Sequence, residues 1–215
     1  MPFATAWLGW DAHLGARAPH PDVQGLPAPV AALTERPRRY GLHATLKPPF
    51  RLAEQEELAG LKAAVADFAE QAAPAGADGL HLTRLGRFLA LVPSGDPGEI
   101  ASLAGNIVRA FDRFRAPPDK AELARRRASG LSPAQDALLL EWGYPYVLDA
   151  FRFHITLTGP LSEDDARAVA AALRPHLDGR LPTPFRIGDI ALAGEDAEGF
   201  FHLIHRYALI GARSA

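Results

Sequence analysis

"YGLHATLKPPF" occupies residues 40–50 and "FRFHITLTGPL" residues 151–161, so one chain carries the same phrase twice. Both read His-x-Thr-Leu-x-x-Pro followed by an apolar residue, with the histidines at 43 and 154, 111 positions apart (154 − 43). In an extended strand, side chains alternate between faces, so Gly41, His43, Thr45 and Lys47 share one side while Tyr40, Leu42, Ala44 and Leu46 share the other. The second copy sorts the same way: Arg152, His154, Thr156 and Thr158 against Phe151, Phe153, Ile155 and Leu157. Each copy therefore predicts a strand with one oily and one polar face. Lys47-Pro48-Pro49 and Gly159-Pro160 stop the strands, because proline cannot donate to a ladder and constrains the residue before it. A third His-x-Thr, at His81, lacks the following leucine and the proline stop, and reads as a surface strand residue.

The repetition extends outward. After the first phrase, Leu58, Leu61, Val65, Phe68 and Ala72 recur at helical spacing; after the second, Ser162 caps a helix whose stripe is Ala166, Val169, Ala170 and Leu173, up to Pro175. Extended material follows each helix, at 79–93 and at 185–210, the latter with a hairpin loop over Gly194 to Gly199. The pattern predicts an α+β fold: two internally duplicated lobes, each an antiparallel sheet with a helix on one face, around a central cleft. The first lobe spans about 36–95 and the second about 146–211. Between them, about 96–145, lies a helical insertion. It holds one helix from Asp96-Pro97-Gly98-Glu99, a short basic helix with Arg125, Arg126 and Arg127, and one from Ser132-Pro133 with Gln135 as capping partner and Gly143 beyond its end. The arginines read as solvated or, alternatively, as phosphate-recruiting, and the short helix as part of a lid.

Composition narrows the chemistry. Among 215 residues, 48% are hydrophobic and 22% charged, with a formal net charge of −2 and no cysteine. That excludes disulfides, thiolate nucleophiles and cysteine-bound zinc, and argues against a surface that coats duplex nucleic acid. No apolar run approaches a membrane span and the start lacks a basic leader, so a cytoplasmic location is expected. Positive charge is local: Arg36, Arg38, Arg39, Lys47 and Arg51 crowd the first phrase, which suits a small anionic group. A metal site is not expected, since neither phrase carries a carboxylate, and His202 and His205 fall on opposite faces of a strand.

The paired His-x-Thr-Leu strands in a duplicated chain of this size resemble the 2H phosphoesterase superfamily, which includes cyclic nucleotide and RNA 2′,3′-cyclic phosphodiesterases. "RRYGLHATLKPPFRLA" and "EWGYPYVLDAFRFHITLTGPL" resemble more narrowly the bacterial branch encoded beside carbon-phosphorus lyase genes of phosphonate breakdown. Relatives of that branch begin with a further strand ahead of the segment matching "AWLGWDA". None is read here, leaving an open sheet edge, a partner's strand or a misassigned start as alternatives.

The resemblance implies a cofactor-free hydrolase acting on a small phosphorylated substrate, a cyclic phosphate on ribose or a ribonucleotide, with 5-phosphoribosyl cyclic phosphate as the member suggested by the phosphonate branch. His43 and His154 would divide the proton transfers, which of them is acid and which base being left open, and Thr45 and Thr156 would donate to the phosphoryl oxygens. Lys47, Arg152 and Thr158 are further candidates on the polar faces. Tyr40, Tyr144 and Tyr146 would contact a base or sugar, or else pack in the core. The alternative function is a binding protein of the same fold that holds nucleotides or RNA ends without turnover.

Overall fold

Each phrase is indeed followed by a helix and then a hairpin, and the way these parts pair decides where the histidines lie. The computed structural model describes residues 2–212. Its helices are α1 (Pro2–Leu8), α2 (Val30–Leu33), α3 (Glu35–Arg38), α4 (Leu58–Gln71), α5 (Gly98–Ala110), α6 (Lys120–Arg127), α7 (Pro133–Trp142) and α8 (Glu163–Leu177). The strands are β1 (Trp10–Asp11), β2 (Ala16–Arg17), β3 (Ala75–Ala77), β4 (Gly79–Leu85), β5 (Phe88–Ser94), β6 (Ile155–Thr156), β7 (Phe185–Ile187), β8 (Asp189–Glu195) and β9 (Phe201–Ala208). All pairings between strands are antiparallel, and the fold is α+β. Among the described residues, no helix is long and apolar enough to cross a membrane.

The hairpins form where the turn chemistry demands. β4 and β5 pair from Gly79 opposite Ser94 to Leu85 opposite Phe88, and Gly86 makes the turn at φ +55°, a backbone conformation that favours glycine. Between β8 and β9 the Asp196 carboxylate accepts the Phe200 N–H at 2.8 Å and so closes the loop.

The helices do not stay with their own hairpins. α4, from the first repeat, packs against β8 and β9 of the second; α8, from the second, packs against β4 and β5 of the first. β6, the strand of the second phrase, likewise joins β5 in the order β4-β5-β6. The expected lobe, a sheet covered by the helix preceding it in the chain, is thus replaced by exchange between repeats. β3 and β7, which occupy equivalent places just before the two hairpins, pair with each other through Ala75–Ile187, Gly76–Arg186 and Ala77–Phe185. This clasp centres on Gly76. A Cβ there would lie 2.8 Å from the Phe185 carbonyl oxygen, too close for any other residue without a shift.

Apolar patterning explains the core. Leu61, Val65 and Ala69 of α4 and Ala166, Val169, Leu173 and Leu177 of α8 are buried, one stripe per helix. α8 runs past Pro175, where the sequence reading expected interference. A proline near a helix end forfeits only one backbone bond, and Leu177 is buried beyond it. The insertion divides in two: α5 buries Ile100, Leu103, Ile107 and Val108 and belongs to the core, whereas α6 buries nothing and α7 only Leu139. The Ser132–Gln135 capping box and left-handed Gly143 bound α7 as the sequence predicts. At the start of α5, Asp96 accepts the Gly98 N–H, and Glu99 accepts the Gly76 N–H at the clasp.

Because Leu173 is fully buried under β4 and β5, Leu173→Ala is expected to cost about 2–5 kcal/mol. Hydrogen exchange should show protection lost first in β4–β5, the hairpin of the other repeat; loss confined to β8–β9 would contradict the exchanged packing.

Candidate active site

The first phrase is placed by a turn rather than by a ladder. α3 ends as Tyr40 and Gly41 donate back to the Pro37 and Arg38 carbonyls, and Gly41 takes φ +68° with its backbone against Trp10. Residues 42–47 then run in irregular conformation, so the expected regular strand is not formed. Left-handed Gly41 on one side and Pro48-Pro49 on the other leave little length for pairing. Aromatic contact does the positioning instead: Tyr40 stacks on His43 (5.0 Å between centroids, 19° between planes) and on Phe201 of β9 (4.5 Å, 17°).

The second phrase is a short strand. Ile155 and Thr156 pair with Leu91 and Ala90, and the Leu157 N–H donates to the Leu89 carbonyl. Trp7, buried in α1, donates its indole N–H to the Leu157 carbonyl at 2.8 Å, and the Gly159 N–H donates to Leu33. The N-terminal segment also reaches the other hairpin: Trp10 donates its indole N–H to Phe201, while the Phe201 and Leu203 N–H groups donate to Arg39 and Ala12. One segment thus fixes both phrases.

The two histidines share one local geometry. His43 Nδ1 lies 3.1 Å from the Gly41 carbonyl oxygen, and His154 Nδ1 lies 2.8 Å from that of Arg152. A carbonyl only accepts, so Nδ1 carries the proton in both rings and Nε2 keeps its lone pair when the ring is neutral. His43 Nε2 is 3.1 Å from Thr45 Oγ1, whose hydroxyl must then donate to the neutral ring. Burial pushes His43 below the ordinary histidine pKa; the Gly41 hydrogen bond opposes that shift, and the charge of His154 adds to it. Phe88 packs beside His154 at 5.7 Å. Two concavities elsewhere, about 450 Å³ along Pro21–Val30 and about 760 Å³ between Arg51, Asp112, Arg115 and Leu140, are lined by neither histidine. Among the described residues, no group of three or more His, Asp or Glu side chains could hold a metal ion. His202 binds Asp196 at 2.6 Å, and His205 packs on Tyr207.

The remaining candidates separate. Lys47 turns away: its ammonium donates to the Val108 carbonyl at 3.2 Å and meets Asp112 at 3.4 Å, with the side chain only 7% exposed. The period-two assignment fails there because residues 42–47 are not a strand. Thr158, 1% exposed, accepts the Leu89 N–H and donates to the Gly159 carbonyl, tying the end of the phrase to β5. Arg152 offers its carbonyl to His154 while its side chain is exposed. Tyr144 and Tyr146 touch edge to face at 5.7 Å, Tyr146 the more exposed, and the fields of Tyr40 and Tyr146 both bear on Tyr144.

Phe88 and Phe201 escaped the sequence reading, which treats Arg126 as one of three arginines either solvated or phosphate-recruiting. Arg126 lies over the Tyr144 ring at 4.7 Å. The run Arg125–Arg127 was visible, but α6 buries no residue, so no apolar stripe phases it and nothing told which arginine faces inward.

Lys47→Met should lower stability by about 1–3 kcal/mol through the stranded Asp112 partner. Turnover by the folded variant should stay within about threefold of the parent, since only removal of a group at the reacting centre is expected to cost more. A loss of a hundredfold without unfolding would return Lys47 to the site.

Residues 45–202 match the family described as "Protein of unknown function (DUF1045)". The chain is 39% identical over 212 residues to "Ribose 1,5-bisphosphate phosphokinase PhnN" of Janthinobacterium sp. (strain Marseille), covering 92% of this chain and 46% of that protein. It is 37% identical over 180 residues to the protein of the same name from Laribacter hongkongensis (strain HLHK9), covering 84% and 42%. The chain thus spans less than half the length of these curated relatives. With the family match running from Thr45 through the second phrase to His202 of β9, the chain belongs to the DUF1045 family.

Proposed function

We propose that the chain is a cyclic phosphodiesterase of the 2H type, opening a cyclic phosphate on ribose or a ribonucleotide by acid–base catalysis at His43 and His154. The observation that carries the reading is the duplicated imidazole geometry: two rings, each with Nδ1–H held by the carbonyl two residues upstream, which leaves proton exchange to Nε2, shared in His43 with the Thr45 hydroxyl. His43, kept neutral by burial, takes the proton of the attacking water as its oxygen bonds to phosphorus. The P–O bond to the ribose oxygen breaks, and that oxygen takes the proton delivered by the His154 imidazolium. The ring-opened phosphate monoester is the product. Thr45, whose hydroxyl rests on His43, turns with Thr156 to the equatorial oxygens, where negative charge grows. The reaction asks no metal of these residues.

The names of the relatives support a ribose phosphate as the substrate class and, with the resemblance of the two phrases to the phosphonate branch, a place in phosphonate metabolism. The kinase activity in those names needs a cradle for nucleotide phosphates, and this sequence holds no G-x-x-x-x-G-K-[S/T] stretch. The shared region therefore fits a different step from phosphorylation.

Turnover of 2′,3′-cyclic nucleotides and ribose cyclic phosphates, measured in chelator, should fall roughly 100- to 10,000-fold in His43→Ala and in His154→Ala. Turnover surviving in both variants would remove the two histidines from the chemistry, and binding without turnover of any ester would replace the hydrolase with a binding protein. The pH profile of kcat/KM carries the sign of the His43 shift. The base works only when neutral, and its pKa is lowered, so the acid limb should lie below the ordinary histidine value of about 6.5. A limb at or above that value would remove His43 from the role of base.

A further inference from the structure

We infer that His20 is a positioning residue for the proposed reaction: it locks the bend between Trp7 and Trp10, the two indoles that hold the second and the first phrase, and thereby sets the two imidazoles relative to each other. The inference rests on the reading of His43 and His154 as the acid–base pair and adds to it a residue outside both repeats. Trp7 is fully buried and donates to the Leu157 carbonyl, one residue past Thr156; the Leu157 N–H is itself bound to Leu89, so this stretch of the second phrase is pinned from both sides. Trp10 donates to the Phe201 carbonyl, the Phe201 ring stacks on Tyr40, and Tyr40 stacks on His43. The Gly41 backbone also lies against Trp10, where a Cβ would come within 3.0 Å of the Trp10 carbonyl oxygen. Each phrase is therefore tied to one indole by direct contacts.

The indoles stand three positions apart (10 − 7), and on a continuing helix they would share one face. Gly9 prevents that. At φ +77° it ends α1 and sends Trp10 to the β8–β9 hairpin, while Trp7 stays with the strand beside β5. A glycine permits such a bend but does not hold it, because it has no side chain to pack and many backbone conformations open to it. His20 supplies the hold. The β1–β2 ribbon pairs Trp10 with Arg17, and the Ala18 N–H donates to the Gly9 carbonyl at 3.2 Å, which returns the chain to the end of α1. There His20 Nδ1 lies 3.2 Å from the Ala6 carbonyl oxygen and 3.1 Å from that of Trp7, so one N–H serves two of the carbonyls that a helix end leaves without helical partners. The ring also fills the space beside the bend: a Cβ on Gly9 would strike its Cε1 and Nε2.

The test measures kcat and KM for 2′,3′-cyclic AMP in the parent chain and in His20→Asn, His20→Gln and His13→Ala. An asparagine amide brings its N–H to the place of Nδ1, whereas the longer glutamine carries it to the place of Nε2 and misses both carbonyls. His20→Gln should lower kcat roughly 10- to 100-fold with KM within about twofold, the scale of a catalytic group displaced from afar, and His20→Asn should recover most of the loss. His13, exposed on the β1–β2 turn, is the control, and His13→Ala should match the parent. A His20→Gln enzyme with the parent's kcat, or a loss that His20→Asn does not repair, overturns the inference. Nuclear magnetic resonance supplies a readout that a loss of stability alone would not move. The indole N–H signals of Trp7 and Trp10, assigned with Trp7→Phe and Trp10→Phe, should shift in folded His20→Gln together with the ring signals of His43 and His154, and all should return in His20→Asn. Indole signals that shift while both imidazoles stay put would uncouple the bend from the site and sink the inference. Should the parent turn over no cyclic ester, the hydrolase reading falls by itself, and the same signals still decide whether His20 sets the two rings.

Discussion

The clasp between β3 and β7 is the constraint on which the rest of the structure hangs. Three residue pairs centred on Gly76 and Arg186 join equivalent points of the two repeats, running in opposite directions. That pairing holds the two repeats together. From it follow the crossed packing of α4 and α8 and the insertion of β6 beside β5. Gly76 permits the approach because a side chain there would strike the Phe185 carbonyl, and Glu99 at the head of α5 binds the Gly76 N–H, linking the clasp to the insertion. The joint is small, yet the hydrophobic faces it aligns are large.

At the site, two copies of a local device work in different surroundings. The hydrogen bond from each Nδ1–H to a carbonyl two residues upstream is a backbone property of the phrase and survives the failure of the first copy to form a strand. What differs is the neighbourhood. His43 is held between aromatic rings and the Thr45 hydroxyl, and its burial favours the neutral ring; His154 stands at the end of a sheet beside Phe88. Duplication supplies two imidazoles, and the packing around them is unequal.

The sequence made legible whatever depends on local rules. The phrase, its proline stops, the helix after each copy, the hairpins and the α7 caps follow from periodicity and turn chemistry, and the structure contains them. Partner choice was not legible. An amphipathic stripe such as Leu61–Val65–Ala69 records that a helix is covered, and nothing in it records by which hairpin. The two-residue period placed His43 and Thr45 together correctly, then misled at Lys47, where the backbone leaves the extended path and a carboxylate on the far side of the chain captures the ammonium. Thr158 failed for a related reason: past Thr156 the phrase turns into the core, and its hydroxyl serves the neighbouring strand. Arg126 needed the tertiary fold, since the approach of Tyr144 and the differing carboxylate partners are what distinguish it from the arginines beside it.

The crossed helices bear on how such a molecule could have arisen. A lone copy of the repeat would leave its hairpin bare and its helix without a bed, and the simplest cure is a second copy donating the missing layer while receiving the same in return. Fusing the two into one polypeptide keeps that reciprocal embrace and frees each copy to drift on its own. The segment between the repeats, with Arg126 on α6 and Tyr144 just past α7, occurs once and marks where the two copies part company.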